Sequence, residues 1–287
     1  MLSDINRSDD LPQLNYLAVF DFDGTLTRKI VYPHLIKFIC KLGIAPRERY
    51  REAEDLIAAY KRGSIEYRDC ARKIVQTYAR SIKGCHTYHL EPALTAFWDA
   101  HQHLLRPFAR EMVEVVQKSS VTVAISGSPV ELIRASALKF HRVYGSEFET
   151  KDHTYTGNVT KNRAFREEKR KIMDALLVFF SSENSVAAGD TLEDKVLLDK
   201  VRYPMVVHPN KELQEYAERN KIPILQWITK KELKKRLGRA VTVFDPGRIP
   251  LDYYSFNTLK GHACFSSNHF GIGKARYGYT IVDLADQ

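Results

Sequence analysis

A short apolar run that ends at two aspartates constrains the fold of this chain more than any other feature. Leu17–Phe20 is continuously apolar and is followed by Asp21, Asp23 and Gly24. This pattern predicts a buried strand that ends in a polar loop. At the carboxyl end of a parallel strand, both carboxylates would lie in the crevice where open α/β sheets bind ligands, and the glycine would allow a sharp turn. An Asp-rich turn without further function is the alternative, because Asp-Gly is common in turns.

Strand-like and helix-like segments alternate along much of the remaining chain. Apolar runs at Val121–Ile125, Val186–Ala188 and Met205–Val207 predict further strands. Apolar residues at helical spacing predict helices between them, over Val130–Phe140 and Arg166–Phe180. The alternation predicts an α/β fold with a Rossmann-like parallel-sheet core and right-handed crossovers.

Composition and periodicity divide the chain into parts. Residues 1–13 are polar and aperiodic, and we expect a flexible leader. Residues 14–28 and 106–239 carry the α/β pattern, whereas residues 29–105 have helical spacing throughout and predict a small α-helical cap domain inserted into the core. Residues 240–287 form an extension of unknown role.

The extension differs in composition from the rest of the chain. It is rich in Tyr, Phe, Gly, His and Asn, and only Ala240–Phe244 and Tyr279–Val282 resemble strands. Packing over the core is the default expectation, and reaching the site opening or mediating self-association are the alternatives.

Composition and charge limit the classes of function. The chain has 287 residues, of which 44% are hydrophobic and 28% charged, as in ordinary globular proteins. No segment reaches the roughly 18 apolar residues of a membrane span, and we expect a cytoplasmic protein. The formal charge of +9 is compatible with phosphorylated metabolites, a phospholipid surface or nucleic acid. The densest basic run, Lys230–Arg236, contains apolar residues, so we interpret it as one face of an amphipathic helix and expect no nucleic-acid partner.

Polar residues follow three of the predicted strands. Asp21 and Asp23 follow the first, Ser126 follows the second, and Asp190 and Asp194 follow the third. Because the carboxyl ends of parallel strands meet at one edge of a sheet, these side chains should converge. Clustered carboxylates repel one another unless cations neutralise them, so we expect a lysine and a divalent metal there. An all-oxygen site of this kind suits Mg²⁺.

Three lysines compete for the position beside these carboxylates: Lys161, Lys169 and Lys171. We choose Lys169 because apolar residues follow it at +3, +4 and +7 and bury the adjoining helix face.

The ordered motifs resemble those of the haloacid dehalogenase superfamily of phosphohydrolases. They are Asp21–Thr25, Ser126, Lys169 and Gly189–Asp194, and the resemblance extends over about Tyr16–Trp227. The helical insertion between the first and second motifs is similar to the C1-type cap of the phosphoserine-phosphatase-like branch, subfamily IB. The resemblance implies a Mg²⁺-dependent phosphatase that acts on a small phosphorylated substrate.

The resemblance also implies a role for each aspartate. Asp21 would be the nucleophile that forms an aspartyl-phosphate. Asp23 would protonate the leaving alkoxide and then deprotonate the hydrolytic water. Mg²⁺ would be held by the Asp21 carboxylate, the backbone carbonyl of Asp23 and Asp190. Because relatives that cleave carbon–halogen bonds lack the second aspartate, Asp23 favours a phosphatase over a dehalogenase.

The remaining motif residues would bind the phosphoryl group or support the site. Ser126 and the amide of Gly127 would hold phosphoryl oxygens, and Lys169 would neutralise them while pairing with Asp21 or Asp194. Ser126 as a helix N-cap and Asp194 as a carboxylate at a helix N-terminus are the alternatives. We expect Asp194 to support the site, as do Gly24 and Thr25, the last two residues of the first motif.

Two positions depart from the pattern of the branch. Glu193 stands where the branch often has asparagine, and Ile30 stands where phosphoserine phosphatases typically carry a glutamate that meets the substrate ammonium. We therefore expect phosphoserine to be a poor substrate. The sequence favours a phosphatase of a small organic phosphomonoester. A phosphatase of a lipid or polymer phosphate end and a non-catalytic phosphate-binding scaffold are the alternatives.

Overall fold

The fold is organised around one mostly parallel β-sheet. The structure is a computed structural model and describes residues 16–229, 262–266 and 279–283. Its strands are β1 (Tyr16–Phe20), β2 (Ser120–Pro129), β3 (Arg142–Lys151), β4 (Thr154–Lys161), β5 (Ser185–Gly189), β6 (Tyr203–Val207), β7 (Ile224–Thr229), β8 (His262–Ser266) and β9 (Tyr279–Asp283). Its α-helices are α1 (Tyr32–Lys41), α2 (Arg47–Lys61), α3 (Tyr67–Ser81), α4 (Thr87–His101), α5 (Ala109–Gln117), α6 (Val130–Ala135), α7 (Arg166–Leu176), α8 (Lys195–Leu198) and α9 (Lys211–Asn220).

The order of the strands places the predicted site residues side by side. Within the described ranges the strands form one sheet in the order β4-β3-β2-β1-β5-β6-β7-β9-β8. Along this order, every neighbouring pair between β3 and β9 is parallel. At the two edges, β4 pairs antiparallel with β3, and β8 pairs antiparallel with β9. Phe20 at the end of β1 lies opposite Ala124 in β2 and Ala188 in β5. The predicted parallel α/β core is therefore confirmed.

The central strand β1 is buried on both faces. Leu17 and Val19 belong to a core shared with α7, α8 and α9, whereas Ala18 and Phe20 belong to a second core shared with α1 and α3 to α5. Strand side chains alternate between faces, so each apolar residue of β1 packs on one of the two layers. This double coverage explains the continuous apolar run in the sequence.

Helices α1 to α4 lie between β1 and β2 and form the helical insertion, residues 29–105. Its two connections to the core are bonded to each other: the Arg28 amide donates to the Leu104 carbonyl at 2.8 Å, and the Arg106 amide donates to the Leu26 carbonyl at 2.9 Å. The Trp98 indole donates to the Leu132 carbonyl at 2.8 Å and joins α4 to α6. The region is helical as predicted, and its boundaries as a domain stay a prediction.

Helix α6 is shorter than the sequence suggests. It ends at Ala135, whereas the apolar spacing predicted a helix to Phe140. The next residue, Ser136, is extended (φ −68°, ψ 160°), and its hydroxyl donates to the Ile133 carbonyl at 2.6 Å. Serine competes for backbone groups in this way and so ends helices.

Helix α7 also ends early, at Leu176 instead of Phe180. The amides of Phe179 and Phe180 both donate to the Leu176 carbonyl, which closes a tight turn. The turn buries Phe180 in the core beneath α7 and leaves Val178 largely exposed. The apolar pattern therefore continues past the helix because the turn also contributes to the core.

The C-terminal region contributes β8 and β9 to the sheet. The predicted strand at Tyr279–Val282 is present as β9, which runs parallel to β7, whereas β8 was not predicted. The leader, the basic run and the strand expected at Ala240–Phe244 lie outside the described residues. None of the helices in the described ranges has the length and apolar content of a membrane span.

Candidate active site

Three strand ends deliver the predicted polar residues to one cavity. Asp21 follows β1, and its amide donates to the Ala188 carbonyl of β5 at 2.9 Å. The cavity, of about 210 Å³, is lined on the core side by Asp21, Asp23, Gly24, Ser126, Gly127, Lys169, Asp190 and Thr191. Ile30, which replaces the expected glutamate, also lines it. The structure thus brings together the residues that the sequence expects at the sheet edge.

Lys169 is the lysine that reaches the carboxylates. Its Nζ atom lies 2.8 Å from Asp21 Oδ1 and 2.5 Å from Asp194 Oδ1, and its side chain is buried. The other two lysines pair with surface carboxylates, Lys161 with Glu147 and Lys171 with Glu168. Among the three candidates, only Lys169 can neutralise the cluster.

The start of α7, which carries Lys169, is anchored by Glu193. The Glu193 carboxylate accepts a hydrogen bond of 2.6 Å from the Arg166 amide, the first residue of the helix. A carboxylate there satisfies an otherwise unpaired amide and complements the helix dipole. Glu193 therefore positions the helix that delivers the lysine, a role that the sequence did not suggest.

Charge pairing and burial oppose each other at Asp21 and Lys169. Burial raises the pKa of Asp21 to about 7, although Lys169 acts to lower it. Burial alone would lower the pKa of Lys169, but the charges of Asp194 and Asp21 outweigh that effect and raise it well above its usual value. Lys169 is therefore a permanent cation, and further positive charge at Asp21 would favour its ionised form.

Asp23 is held by different partners. Ser128 donates its hydroxyl to Asp23 Oδ2 at 2.6 Å, and the Val31 amide donates to Oδ1 at 3.1 Å. Burial raises the pKa of Asp23 to about 6 despite these two hydrogen bonds. The two neighbouring carboxylates thus lie in distinct environments, one beside a lysine and one beside a hydroxyl and an amide.

Carboxylates of the cluster can also hold a metal. Oxygen atoms of Asp21, Asp190 and Asp194 all lie within 4.8 Å of one another. Burial, then the charges of Asp21 and Asp194, raise the pKa of Asp190 well above its usual value, so a divalent cation would relieve an unfavourable concentration of charge. The donor set consists of oxygen atoms alone, as Mg²⁺ prefers.

Asp194 supports this set in two ways. Its Oδ1 atom contacts Lys169, and its Oδ2 atom accepts hydrogen bonds from the amides of Asp190 and Thr191 and from the Thr191 hydroxyl. It forms a capping box with Thr191, so both interpretations of this residue from the sequence have a structural counterpart. Asp194 thus makes four of its contacts within the site, while its carboxylate stays within 4.8 Å of those of Asp21 and Asp190.

Gly24 allows Asp190 to approach the first motif. Its φ is +88°, and a Cβ atom added there would lie 2.1 Å from Asp190 Oδ2. Thr25 donates its hydroxyl to Asp190 Oδ1 at 3.0 Å. The Arg106 guanidinium holds the same turn by donating to the Gly24 carbonyl at 2.6 Å and to the Thr25 carbonyl at 3.0 Å. Gly24 and Thr25 therefore fix the position of the Asp190 carboxylate.

The end of β2 forms the remaining part of the site. Ser126 is fully buried and is not the N-cap of α6, because that position is Pro129, which makes no side-chain cap bond. The Gly127 carbonyl accepts hydrogen bonds of 2.7 Å from the hydroxyls of Tyr32 and Ser146. These two hydrogen bonds anchor the segment, which lines the same cavity as Asp21.

Sequence reasoning did not identify Ser128 and Arg106 as residues that organise the site, and it gave no contact to the Tyr32 hydroxyl. Ser128 stands in the Ser-Gly-Ser sequence after the second strand, so its alternation with Ser126 was a usable signal. Arg106 and Tyr32 act through bonds to distant backbone carbonyls, and no local pattern marks them.

Solved structures of other proteins share this fold. A protein of unknown function from Bordetella pertussis Tohama I is 21% identical, with a TM-score of 0.60, over 74% of this chain and 98% of its own. A HAD family hydrolase from Salmonella enterica serovar Typhi is 18% identical, with a TM-score of 0.53, over 71% and 67% of the two chains. A phosphoserine phosphatase solved as a phospho-aspartyl intermediate analogue is 19% identical, with a TM-score of 0.51, over 74% and 93%.

Sequence comparison gives the family directly. A search of curated protein sequences finds no match to this chain. A sequence model of the haloacid dehalogenase-like hydrolases matches residues 18–199, which is more than half of the chain and includes all four motifs. The chain therefore belongs to the haloacid dehalogenase-like hydrolase family.

Proposed function

We propose that this protein is a Mg²⁺-dependent phosphatase that hydrolyses a small organic phosphomonoester through an aspartyl-phosphate on Asp21. The observation that carries the proposal is the contrast between the two carboxylates of the first motif. Asp21 pairs with Lys169 at 2.8 Å, which favours its ionised form, whereas Asp23 is held by the Ser128 hydroxyl and the Val31 amide. Burial raises the pKa of both carboxyls, to about 7 for Asp21 and about 6 for Asp23, so the contrast lies in their partners. Two carboxylates in such different environments suit a nucleophile and a general acid.

In the first step, a carboxylate oxygen of Asp21 forms a bond to phosphorus while the bond from phosphorus to the ester oxygen breaks. The leaving oxygen keeps the electron pair and takes the proton of Asp23. Asp23 begins this step protonated, and because its pKa is raised to about 6, a minor fraction of the protein carries that proton at neutral pH. The products are a free alcohol and phosphorylated Asp21.

In the second step, Asp23 accepts a proton from a water molecule whose oxygen attacks the same phosphorus. The bond between phosphorus and Asp21 then breaks and releases inorganic phosphate. Lys169 neutralises the phosphoryl oxygens, and Ser126 and the Gly127 amide bind them at the end of β2. A phosphoserine phosphatase with this fold was solved as a phospho-aspartyl intermediate analogue, which supports the same chemistry here.

The carboxylates of Asp21 and Asp190, with the Asp23 backbone carbonyl, would hold Mg²⁺. Bound there, the ion supplies positive charge that lets an anionic nucleophile approach an anionic phosphate. Thr25 and Gly24 orient Asp190 for this task. The helical insertion would act as a cap, since side chains of α2 and α3 close the cavity over Asp21.

Hydrolysis of p-nitrophenyl phosphate, with and without Mg²⁺, tests the proposal. We expect Mg²⁺-dependent release of phosphate, lost by about 10³-fold or more in Asp21→Asn. Asp174→Asn, a matched change at an exposed residue of α7 that pairs with Lys200, should leave the rate unchanged. Mass spectrometry of acid-quenched protein should find the phosphoryl group on the peptide containing Asp21. A wild-type protein with no activity would instead favour the non-catalytic phosphate-binding scaffold.

A further inference from the structure

The cavity at the candidate active site has two chemically different walls. The core wall carries the aspartates, Ser126 and Lys169. The opposite wall belongs to the helical insertion, and its main side chains are apolar or phenolic: Ile30, Ile57, Tyr60, Tyr67, Cys70 and Ile74. Among the described residues, the insertion contributes no charged side chain to the lining of this cavity. A group released from a phosphate on the core wall therefore faces uncharged side chains.

The two phenols do not supply charge either. The rings of Tyr60 and Tyr67 pack edge to face, with centroids 5.8 Å apart. Burial raises the pKa of both hydroxyls, so they stay neutral at physiological pH. They can offer single hydrogen bonds to an alcohol oxygen but cannot pair with an ionic group.

Ionic leaving groups are unfavourable in this cavity for two reasons. A carboxylate would lie close to Asp21, Asp23 and Asp190, which already concentrate negative charge. An ammonium would lose its hydration and find no counter-charge on the insertion wall. The carboxylates of the core wall already have partners in Lys169, Ser128 and Thr25. Burying an unpaired charge costs free energy, whereas an alkyl chain gains from contact with isoleucine side chains.

The size of the cavity limits the leaving group further. Its volume of about 210 Å³ is below the roughly 300–1,000 Å³ of pockets that hold drug-sized ligands. The phosphoryl group takes up part of this space. The remaining space favours a small alcohol.

We propose that the insertion wall selects phosphate monoesters of small, uncharged alcohols with an apolar carbon chain, and that Ile57 helps to set this selectivity. The inference rests on the proposed phosphatase activity and specifies its substrate class.

Two pairs of isosteric esters test the selectivity of the wild-type protein. The first pair is n-propyl phosphate and phosphoethanolamine, which differ by a methyl group against an ammonium. The second pair is isobutyl phosphate and phosphoglycolate, which differ by an isopropyl group against a carboxylate. We expect the uncharged ester to have the higher kcat/KM in each pair, by about 10- to 200-fold, the range for apolar-pocket discrimination. Equal or faster hydrolysis of phosphoethanolamine would overturn the inference, because the tyrosine rings would then be binding a cation.

A charge placed on the insertion wall tests the role of Ile57. Ile57→Glu puts a carboxylate on a half-buried position of α2 that lines the cavity. We expect the ratio of kcat/KM for phosphoethanolamine to that for n-propyl phosphate to rise by about 10-fold or more. Ala58→Glu makes the same charge change on the same helix at a residue outside the lining, and it should leave the ratio unchanged. An unchanged ratio in folded Ile57→Glu would refute the role of this residue.

The experiment separates failure of the selectivity from failure of the activity. If p-nitrophenyl phosphate is hydrolysed with Mg²⁺ but the ionic esters match the uncharged ones, the selectivity is wrong and the phosphatase proposal stands. If neither p-nitrophenyl phosphate nor any of the four esters is hydrolysed, the proposed function is wrong and the selectivity is refuted with it.

Discussion

Replacing Gly24 with alanine should separate the geometry of the site from the stability of the fold. Gly24 has a φ of +88°, and an alanine there costs about 1–2 kcal/mol of folding free energy. The new Cβ atom would also lie 2.1 Å from Asp190 Oδ2, whereas ordinary contacts begin at 3.4 Å. The Asp190 carboxylate must therefore move by about 1.3 Å (3.4 − 2.1), which disrupts its 3.0 Å hydrogen bond from Thr25. Misplacement of about 1 Å in a catalytic group typically costs about 10²-fold in rate.

Gly43→Ala is the matched control for this change. Gly43 follows α1 with a φ of +75°, and an added Cβ atom there would meet nothing within 4 Å. Thermal unfolding should show a loss of stability in both variants from the positive φ, with a larger loss in Gly24→Ala because only its Cβ atom displaces Asp190. Hydrolysis of p-nitrophenyl phosphate across a Mg²⁺ titration should show kcat/KM reduced by about 100-fold or more, with weaker Mg²⁺ dependence, in Gly24→Ala alone. Activity of Gly24→Ala within threefold of Gly43→Ala, a threshold on the order of 0.65 kcal/mol, would refute the assigned role of Asp190.

Two further substitutions test the contacts of the carboxylates. Lys169→Met should lower the free energy of unfolding by about 3–5 kcal/mol in chemical denaturation, because it leaves Asp21 and Asp194 buried without their shared cation. Lys171→Met, which removes an exposed pair with Glu168, should change that free energy by less than about 1 kcal/mol, and similar losses in both would contradict the argument. Ser128→Ala removes the hydrogen bond that orients the Asp23 carboxyl, so the maximal kcat/KM should fall by about 10-fold or more. Because the same bond lowers the pKa of Asp23, its loss should also move the alkaline limb of kcat/KM to higher pH. An unshifted pH profile would show that Ser128 acts only in packing.

Much of the site was predictable because short stretches of sequence mark its main residues. Asp21 directly follows a buried strand, and Lys169 directly precedes the buried face of a helix. The parallel arrangement of strands then predicts that distant motifs meet at one edge. Helical spacing favoured Lys169 among the three lysines, and the structure buries Lys169 while Lys161 and Lys171 pair with surface carboxylates.

The contacts that orient these groups were not predictable in the same way. Ser128 and Asp23 are 105 residues apart in sequence, and Arg106 lies 82 residues from Gly24. Such contacts depend on the register of two strands and on where the insertion returns, which no window of sequence contains. Helix ends were also misjudged, because Ser136 and the turn after Leu176 end helices while the apolar pattern continues.

The closed junction at the base of the helical insertion has a consequence for how this protein can diversify. The amides of Arg28 and Arg106 tie the two connections together, and the Arg106 side chain holds the turn that contains Gly24 and Thr25. On the proposed function, changes in α2 or α3 would alter the wall that meets the alcohol, while this junction would keep the aspartates in place. Selection can therefore change the alcohol that is released while the reaction at phosphorus stays the same.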